Sequence, residues 1–202
     1  MYNYLPELVR RMDEPVQVWC RTILDEHEVL FQTAPGSGNN HHAWVGGYWD
    51  HVTEVMNLAV IWYEPLNDRR PLPFTLSSAL LILFLHDLEK PWHYIAEPDG
   101  TLVKDPAITT KSERKAFRDR KLAEYGIVLT AEQQNAMQYV EGELEDYRRD
   151  DRAMGPLAAF CHACDNTSAR LWHNYPLESG DPWCGAGRVA GSTSRQQMKK
   201  WV

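Results

Sequence analysis

A chain of 202 residues, 44% of them hydrophobic, can bury a core of its own and sits slightly above the usual length of one domain. Its net charge of −7 argues against a protein that grips long nucleic acid through a general basic footprint, and no stretch approaches the roughly 18–20 apolar residues that span a bilayer. Four cysteines are too sparse for a disulfide framework, and the first residues lack the basic start and apolar core of a signal peptide, so a cytoplasmic location with no membrane attachment is expected.

Leu5, Leu8, Val9 and Met12 fall on one helical face, and Val16, Val18, Trp19, Ile23 and Leu24 on another, which predicts two helices at the start. Thr33 to Asn40 carries Pro, Gly and Asn and reads as a flexible loop that delivers the chain to His41 and His42. After Gly46 and Gly47, the spacing of Val52, Val55, Met56, Ala59 and Trp62 predicts a helix with His51 in its first turn or two, beside the apolar stripe. Glu64-Pro65 to Pro73 punctuates the next connection. Thr75 or Ser77 can cap the helix that follows, whose run from Ala79 to Leu85 is the most apolar of the chain and which ends at His86-Asp87 ahead of Pro91.

Residues 94–110 read as a turn or small hairpin, and Lys111 opens a basic helix to about Tyr125. Thr130 to Gln133 is a capping-box start for a helix to about Tyr147. The last helix is expected from near Pro156 to about Trp172, with Ala158, Cys161, His162, Asp165, Ser168 and Ala169 on one face. From Glu178 onward Gly and Ser alternate without apolar periodicity, which predicts an extended or disordered tail. The expected organisation is one helical domain over 1–177 and a tail over 178–202.

Chemistry gathers at three places. His86-Asp87 ends the most apolar run, His41-His42-Ala-Trp-Val-Gly-Gly-Tyr-Trp-Asp-His51 lies upstream, and Cys161-His-Ala-Cys164-Asp165 lies downstream. Two imidazoles and two carboxylates drawn from these places would make a donor set suited to Mn²⁺, Fe²⁺, Co²⁺, Ni²⁺ or Zn²⁺ with coordination positions left open for water and a phosphate oxygen. Read instead as ordinary polar core groups, they leave two unpaired carboxylates in an apolar bundle, which is costly. Cys161 and Cys164 lack a second ligand pair and read as small buried thiols packing the Asp165 face.

The order His, His-Asp, Asp in these contexts resembles the HD superfamily of metal-dependent phosphohydrolases, over roughly residues 25–175. The likeness is closest around residues 31–60, where Phe31-Gln-Thr-Ala-Pro-Gly-Ser37 with the His-His-Ala and Gly-Gly stretches is similar to the HD domain of bacterial 3′→5′ exoribonucleases. The resemblance implies an all-α HD-domain bundle whose ligands come from three helices. It implies one divalent metal on His51, His86, Asp87 and Asp165, and hydrolysis of a phosphoester bond of a nucleotide or short oligonucleotide by metal-activated water.

HD phosphodiesterases often carry His-Asp-x-Gly-Lys, so Lys90 matches and is implied near the phosphate, while Glu89 replaces the Gly and could move a proton. Deoxynucleotidases of the superfamily commonly place an acid where this chain has Lys90. Binuclear members carry further histidines where this chain has Tyr139 to Glu143, so one metal is the simpler reading; Glu141 or Glu143 could replace such a ligand, and His93 and His162 are held in reserve. His27 and His173 are expected at the surface.

His41 and His42 are candidates for substrate phosphate or loop residues without a role. Lys111, Arg114, Lys115 and Arg118 form either a phosphate-facing patch or a solvated helix face, and Arg170 could reach a phosphate or a surface acid. The rival functions are a nucleotidase or dNTP triphosphohydrolase of the same superfamily, an HD-type di-iron oxygenase, and a non-catalytic nucleotide-binding module. The sequence leaves the oligomeric state open, a homo-oligomer included.

Overall fold

The computed structural model describes residues 2–38, 40–96, 102–178, 180–181 and 194–195. The expected tail therefore lies largely outside the described residues. Helix α1 (Leu5–Val9) and helix α2 (Val16–Thr33) come first, and α2 buries Cys20, Ile23, Leu24 and Phe31. Val18, expected on that face, is instead half exposed. At His27 the backbone leaves helical values (φ −121°, ψ 15°), and the ring meets the Tyr125 hydroxyl at 2.9 Å and the edge of Trp92 at 4.8 Å. His27 thus packs inside an aromatic contact rather than on the surface.

Helix α3 (Gly47–Arg69) is the axis of the bundle, packing against α1, α2 and the two apolar helices that follow. It runs through Pro65, where the sequence predicts a connection. Proline at 65 deprives only the Ile61 carbonyl of a donor, and Ile61 is exposed, so water can take that bond. Inside the bundle Asn57 is fully buried and satisfied, giving its amide to the carbonyls of Asn3 (2.9 Å) and Thr53 (2.8 Å) while accepting from the Asn3 amide (2.8 Å).

Helix α4 (Leu76–Leu85) begins where Thr75 accepts from the Ser78 amide at 3.1 Å. From Ala79 to Leu85 no residue exceeds 1% exposure, as a helix apolar on all faces requires. Burial of each Leu or Ile there contributes about 1.5–3 kcal/mol. The chain turns through His86 to Glu89 and enters the short α5 (Lys90–His93), with Pro91 in the first turn, where it has no hydrogen bond to forfeit. Strands β1 (Tyr94–Ala96) and β2 (Leu102–Lys104) form the expected hairpin, Ile95 pairing with Val103; its turn lies outside the described residues.

Helices α6 (Lys111–Glu124) and α7 (Ala131–Tyr139) start in the capping boxes Thr110–Glu113 and Thr130–Gln133. Helix α7 ends well before Tyr147. The cause lies in α8 (Pro156–Leu171): His162 Nδ1 meets the Val140 carbonyl at 2.8 Å, taking one of the last acceptors of α7. Gly142 then turns at φ +107° with the His162 ring 3.4 Å from where a Cβ would stand. Apolar side chains from α1 to α8 join in one connected core. No helix among the described residues is long and apolar enough to cross a membrane.

The segment between α2 and α3 is tied down rather than loose. Ser37 Oγ accepts from the amides of Asn40 and His41 and donates to the His41 carbonyl, and the His42 carbonyl receives the amides of Gly36 (2.8 Å) and Trp44 (3.0 Å). His42 itself sits at φ 52°. A Cβ on Gly47 would stand 1.9 Å from the His42 carbonyl oxygen, which is backbone and cannot step aside. We therefore expect Gly47→Ala to cost about 3 kcal/mol or more in urea denaturation. Gly126→Ala, in open space at φ +68°, should cost only about 1–2 kcal/mol. A smaller loss at position 47 than at 126 would contradict this close approach.

Candidate metal centre

Three helices and one turn bring the histidines and aspartates together at the inner end of α4. His51 lies one turn into α3 and is fully buried, His86 caps α4 at 2% exposure, Asp87 follows at 3%, and Asp165 projects from the middle of α8. His51 Nε2 lies 3.1 Å from Asp165 Oδ1, 3.3 Å from His86 Nε2 and 3.6 Å from Asp87 Oδ2. His86 Nε2 is 3.3 Å from Asp87 Oδ2 and 3.7 Å from Asp165 Oδ1. The ligand atoms of His51, His86 and Asp165 all lie within 4.8 Å of one another.

Hydrogen bonds on the far side of each ring decide which nitrogen faces inward. His86 Nδ1 lies 2.8 Å from the Leu83 carbonyl, which can only accept, so Nδ1 carries a proton and Nε2 turns to the centre, where it becomes a free donor once its own proton is displaced. Ser168 gives its hydroxyl proton to Glu54 Oε2 at 2.7 Å and so accepts from His51 Nδ1 at 3.1 Å, which bares His51 Nε2. The same Glu54 oxygen receives His42 Nε2 at 2.9 Å, and His42 Nδ1 then faces His41 Nδ1 at 3.1 Å. Glu54 thus orients His51 through Ser168 and His42 directly.

The result is four candidate ligand groups facing one another, two of them with imidazole nitrogens 3.3 Å apart. In the metal-free protein the His86 proton and the Lys90 ammonium hold the cluster together. Ligands bonded at about 2.1 Å to one ion stand about 3.0–3.4 Å apart along the edges of an octahedron or tetrahedron, close to the separations of 3.1 to 3.7 Å found here. The residues therefore fit a divalent metal. A second triad, His41, His42 and His51, is also close enough to hold an ion, but both nitrogens of His42 are already engaged and His51 has one free nitrogen to give.

Charge follows the same geometry. Burial alone would push the His86 pKa down, yet Asp87 and the hydrogen bonds to Asp165 and Asp87 lift it to about 10. Asp165 is held well below the carboxylate range, because the imidazoles of His51 and His86 beside it outweigh burial. Asp87 is likewise depressed against its burial, chiefly by Lys90, whose ammonium contacts Asp87 Oδ2. Glu89, at 3% exposure, is pushed up by burial, and Arg118, which pairs with it at 3.0 Å, only partly offsets this.

The candidate substrate residues divide. Lys90 and His41 line a cavity of about 330 Å³ that opens onto Asp87 and Asp165. Lys111, Arg114, Lys115 and Arg118 form the basic wall of a second cavity of about 800 Å³ between α6 and α7, faced by Leu122, Met137 and Val140. Within that wall Lys115 pairs with Asp119 in the i,i+4 manner of a solvated face, whereas Arg118 donates inward to the His86 carbonyl and Glu89. Arg114 lines both cavities.

Arg170 is exposed at the end of α8 and lines neither cavity. Glu143 accepts from the Met154 amide, a structural use, and Glu141 stands exposed at the rim of both cavities. His173 is exposed, though its carbonyl receives the His42 amide. Cys161 and Cys164 are free, fully buried thiols, and burial raises the pKa of each. Sequence reasoning missed Glu54 and the orienting role of Ser168. Each stands three residues after a ligand, at His51 and Asp165, and so shares its helix face.

Imidazoles of an unfolded chain protonate near pH 6.5, but burial holds His41 and His42 at about 3 and His51 at about 4. Across that window the unfolded chain binds more protons, so stability is full above pH 6.5 and falls as pH drops toward 3. His86 acts oppositely, its contribution being full below 6.5 and lost as pH rises through about 10. We expect unfolding free energy of the metal-free protein to fall steadily from pH 6.5 to 4, by up to about 1.4 kcal/mol per pH unit for each neutral imidazole. His42→Gln should flatten that slope by about one proton. A pH-independent stability between 6.5 and 5 would contradict the neutral, buried assignment.

Over 73 residues the chain is 31% identical to dihydroneopterin 2′,3′-cyclic phosphate phosphodiesterase of Methanocaldococcus jannaschii, a stretch that makes up 36% of this chain and 29% of that protein. The chain thus matches less than a third of the relative's length. No protein-family model and no solved structure matches the chain.

Proposed function

We propose that the chain is an HD-type, metal-dependent phosphohydrolase that cleaves a phosphoester bond of a nucleotide or short oligonucleotide. The observation that carries this reading is the convergence of His51 Nε2, His86 Nε2 and the Asp87 and Asp165 carboxylates beside a cavity open to a small ligand. Partial similarity to a cyclic phosphate phosphodiesterase supports a phosphoester as the bond that is cut. The cavities suit a compact substrate, and the overall negative charge disfavours a long nucleic acid.

A divalent cation on these ligands supplies Lewis acidity to a phosphoryl oxygen and brings the pKa of a water toward neutrality. The protein does the rest. His51 and His86 hold their donor nitrogens inward through Ser168 and Leu83, so the centre needs little rearrangement during reaction. Lys90 stays charged because Asp87 outweighs its burial, and it stands at the edge of the cavity where a non-bridging phosphate oxygen can approach. Glu89, its pKa raised, borders the same cavity and is the group able to exchange a proton with water or the leaving oxygen. Arg118 fixes where that carboxyl points.

Asp87→Ala should lower bound metal, measured by elemental analysis of the purified protein, from about one ion per chain to near zero and abolish phosphate release from a nucleotide panel. An Asp87→Ala protein that keeps stoichiometric metal would overturn the assignment. In the wild type, metal uptake at pH 7 should displace about one proton, that of His86, seen by calorimetry in buffers of differing ionisation enthalpy.

Glu89→Gln should lower kcat by about 10² or more and remove one limb of the pH–rate profile, while Lys90→Ala should act mainly on KM. Wild-type kcat in Glu89→Gln would pass the proton-transfer role to Glu141 or to solvent.

A further inference from the structure

His93 ends α5 with 2% exposure, and neither ring nitrogen has a hydrogen-bond partner among the described residues. Its main chain is fully used, the amide donating to Glu89 at 2.9 Å and the carbonyl receiving the Asp105 amide at 2.9 Å, and its ring stacks edge-on against Tyr94. The ring is therefore held in place while its polar atoms are left idle, a state that buried groups seldom keep unless water or a ligand serves them. Ile108 backbone lies near enough to favour the charged ring without completing a hydrogen bond, and burial wins, keeping the pKa low. A neutral imidazole offers one N–H donor and one acceptor. It borders the cavity of about 330 Å³ beside Asp87 and Asp165.

Arg114 faces it. Along α6, exposed Lys115 is paired with Asp119, Arg118 with Glu89 and Lys121 with Glu124, but the Arg114 guanidinium makes no ion pair among the described residues. Its charge bears on both His93 and Tyr94, so it lies over the same cavity. Three of the four acids on the wall are already matched, Asp87 by Lys90, Glu89 by Arg118 and Asp165 by the two imidazoles of the candidate centre, while the fourth, Glu141, stands exposed at the rim. What remains for a ligand is an unmatched guanidinium and an unmatched N–H.

We propose that His93 and Arg114 form a phosphoryl subsite next to the metal centre, which takes a phosphate group of the substrate other than the one being cleaved. The inference rests on the hydrolase reading above and deepens it, because it assigns the substrate to phosphoesters with two separate phosphate groups. Arg114 meets the non-scissile phosphate with a fork of donors and His93 adds one N–H, while the remaining His93 nitrogen accepts from a substrate hydroxyl or a water.

The test uses full-length protein loaded with Mn²⁺ and two probes, adenosine 5′-monophosphate and adenosine 3′,5′-bisphosphate, titrated calorimetrically into the wild type, His93→Gln and Arg114→Gln. The bisphosphate should bind the wild type about tenfold more tightly or better, and each variant should lose most of that advantage while keeping its metal and its affinity for the monophosphate. Equal binding of the two probes by the wild type, or an advantage that survives in both variants, would overturn the subsite and leave the hydrolase reading intact, with the cavity filled by water only. A wild type that takes up no metal and releases no phosphate would instead remove the hydrolase reading, and the subsite with it.

Discussion

Four of the carboxylates inside the helical bundle gather around the candidate centre, and the architecture around them is arranged to keep each one partnered. Glu54 receives His42 and Ser168, Asp87 receives Lys90, Glu89 receives Arg118, and Asp165 stands against the imidazoles of His51 and His86. A buried carboxylate without such a partner costs several kcal/mol, so each pairing dictates where a helix can lie. Arg118 shows how. One guanidinium nitrogen reaches both Glu89 and the carbonyl of His86, so the basic helix α6 is latched onto the end of α4 by satisfying a helix-end acceptor and a buried acid together. The same helix then carries Arg114 over the smaller cavity.

Strain gathers on the other side of the centre. His42 adopts φ 52°, a region that costs a non-glycine residue about 1–3 kcal/mol, and Gly36 and Gly47 crowd against it so closely that neither tolerates a side chain there. What this conformation secures is the placing of His42 Nε2 on Glu54, and through Glu54 and Ser168 the ring orientation of His51. The Gly-Gly stretch and the His-His pair are thus parts of one device, in which backbone geometry at residue 42 fixes a donor nitrogen at residue 51.

Much of this was legible in the chain. His51, His86, Asp87 and Asp165 do converge, the capping boxes at Thr110 and Thr130 start the helices they mark, and the hairpin pairs Tyr94 to Ala96 with Leu102 to Lys104. Local signals failed where a distant partner decided the outcome. Pro65 stays helical because Ile61 is exposed, and α7 stops at Tyr139 because His162, on another helix, takes the Val140 carbonyl. Glu54 was hidden because a Glu in an amphipathic helix is usually solvated, and only the packing of α8 against α3 reveals that Ser168 meets it. The basic segment was divided only by the fold, since spacing alone does not distinguish Lys115, paired along its own helix, from Arg118, paired across to α4.

The central claim is that two inward-turned imidazoles and two carboxylates form one coordination sphere. X-ray absorption spectroscopy on protein reconstituted with one equivalent of Mn²⁺ tests it most directly. The account predicts a shell of nitrogen and oxygen only, near 2.1–2.2 Å in round terms, with the outer-shell scattering of about two imidazole rings. Sulfur in the first shell, or the absence of imidazole scattering, would contradict it.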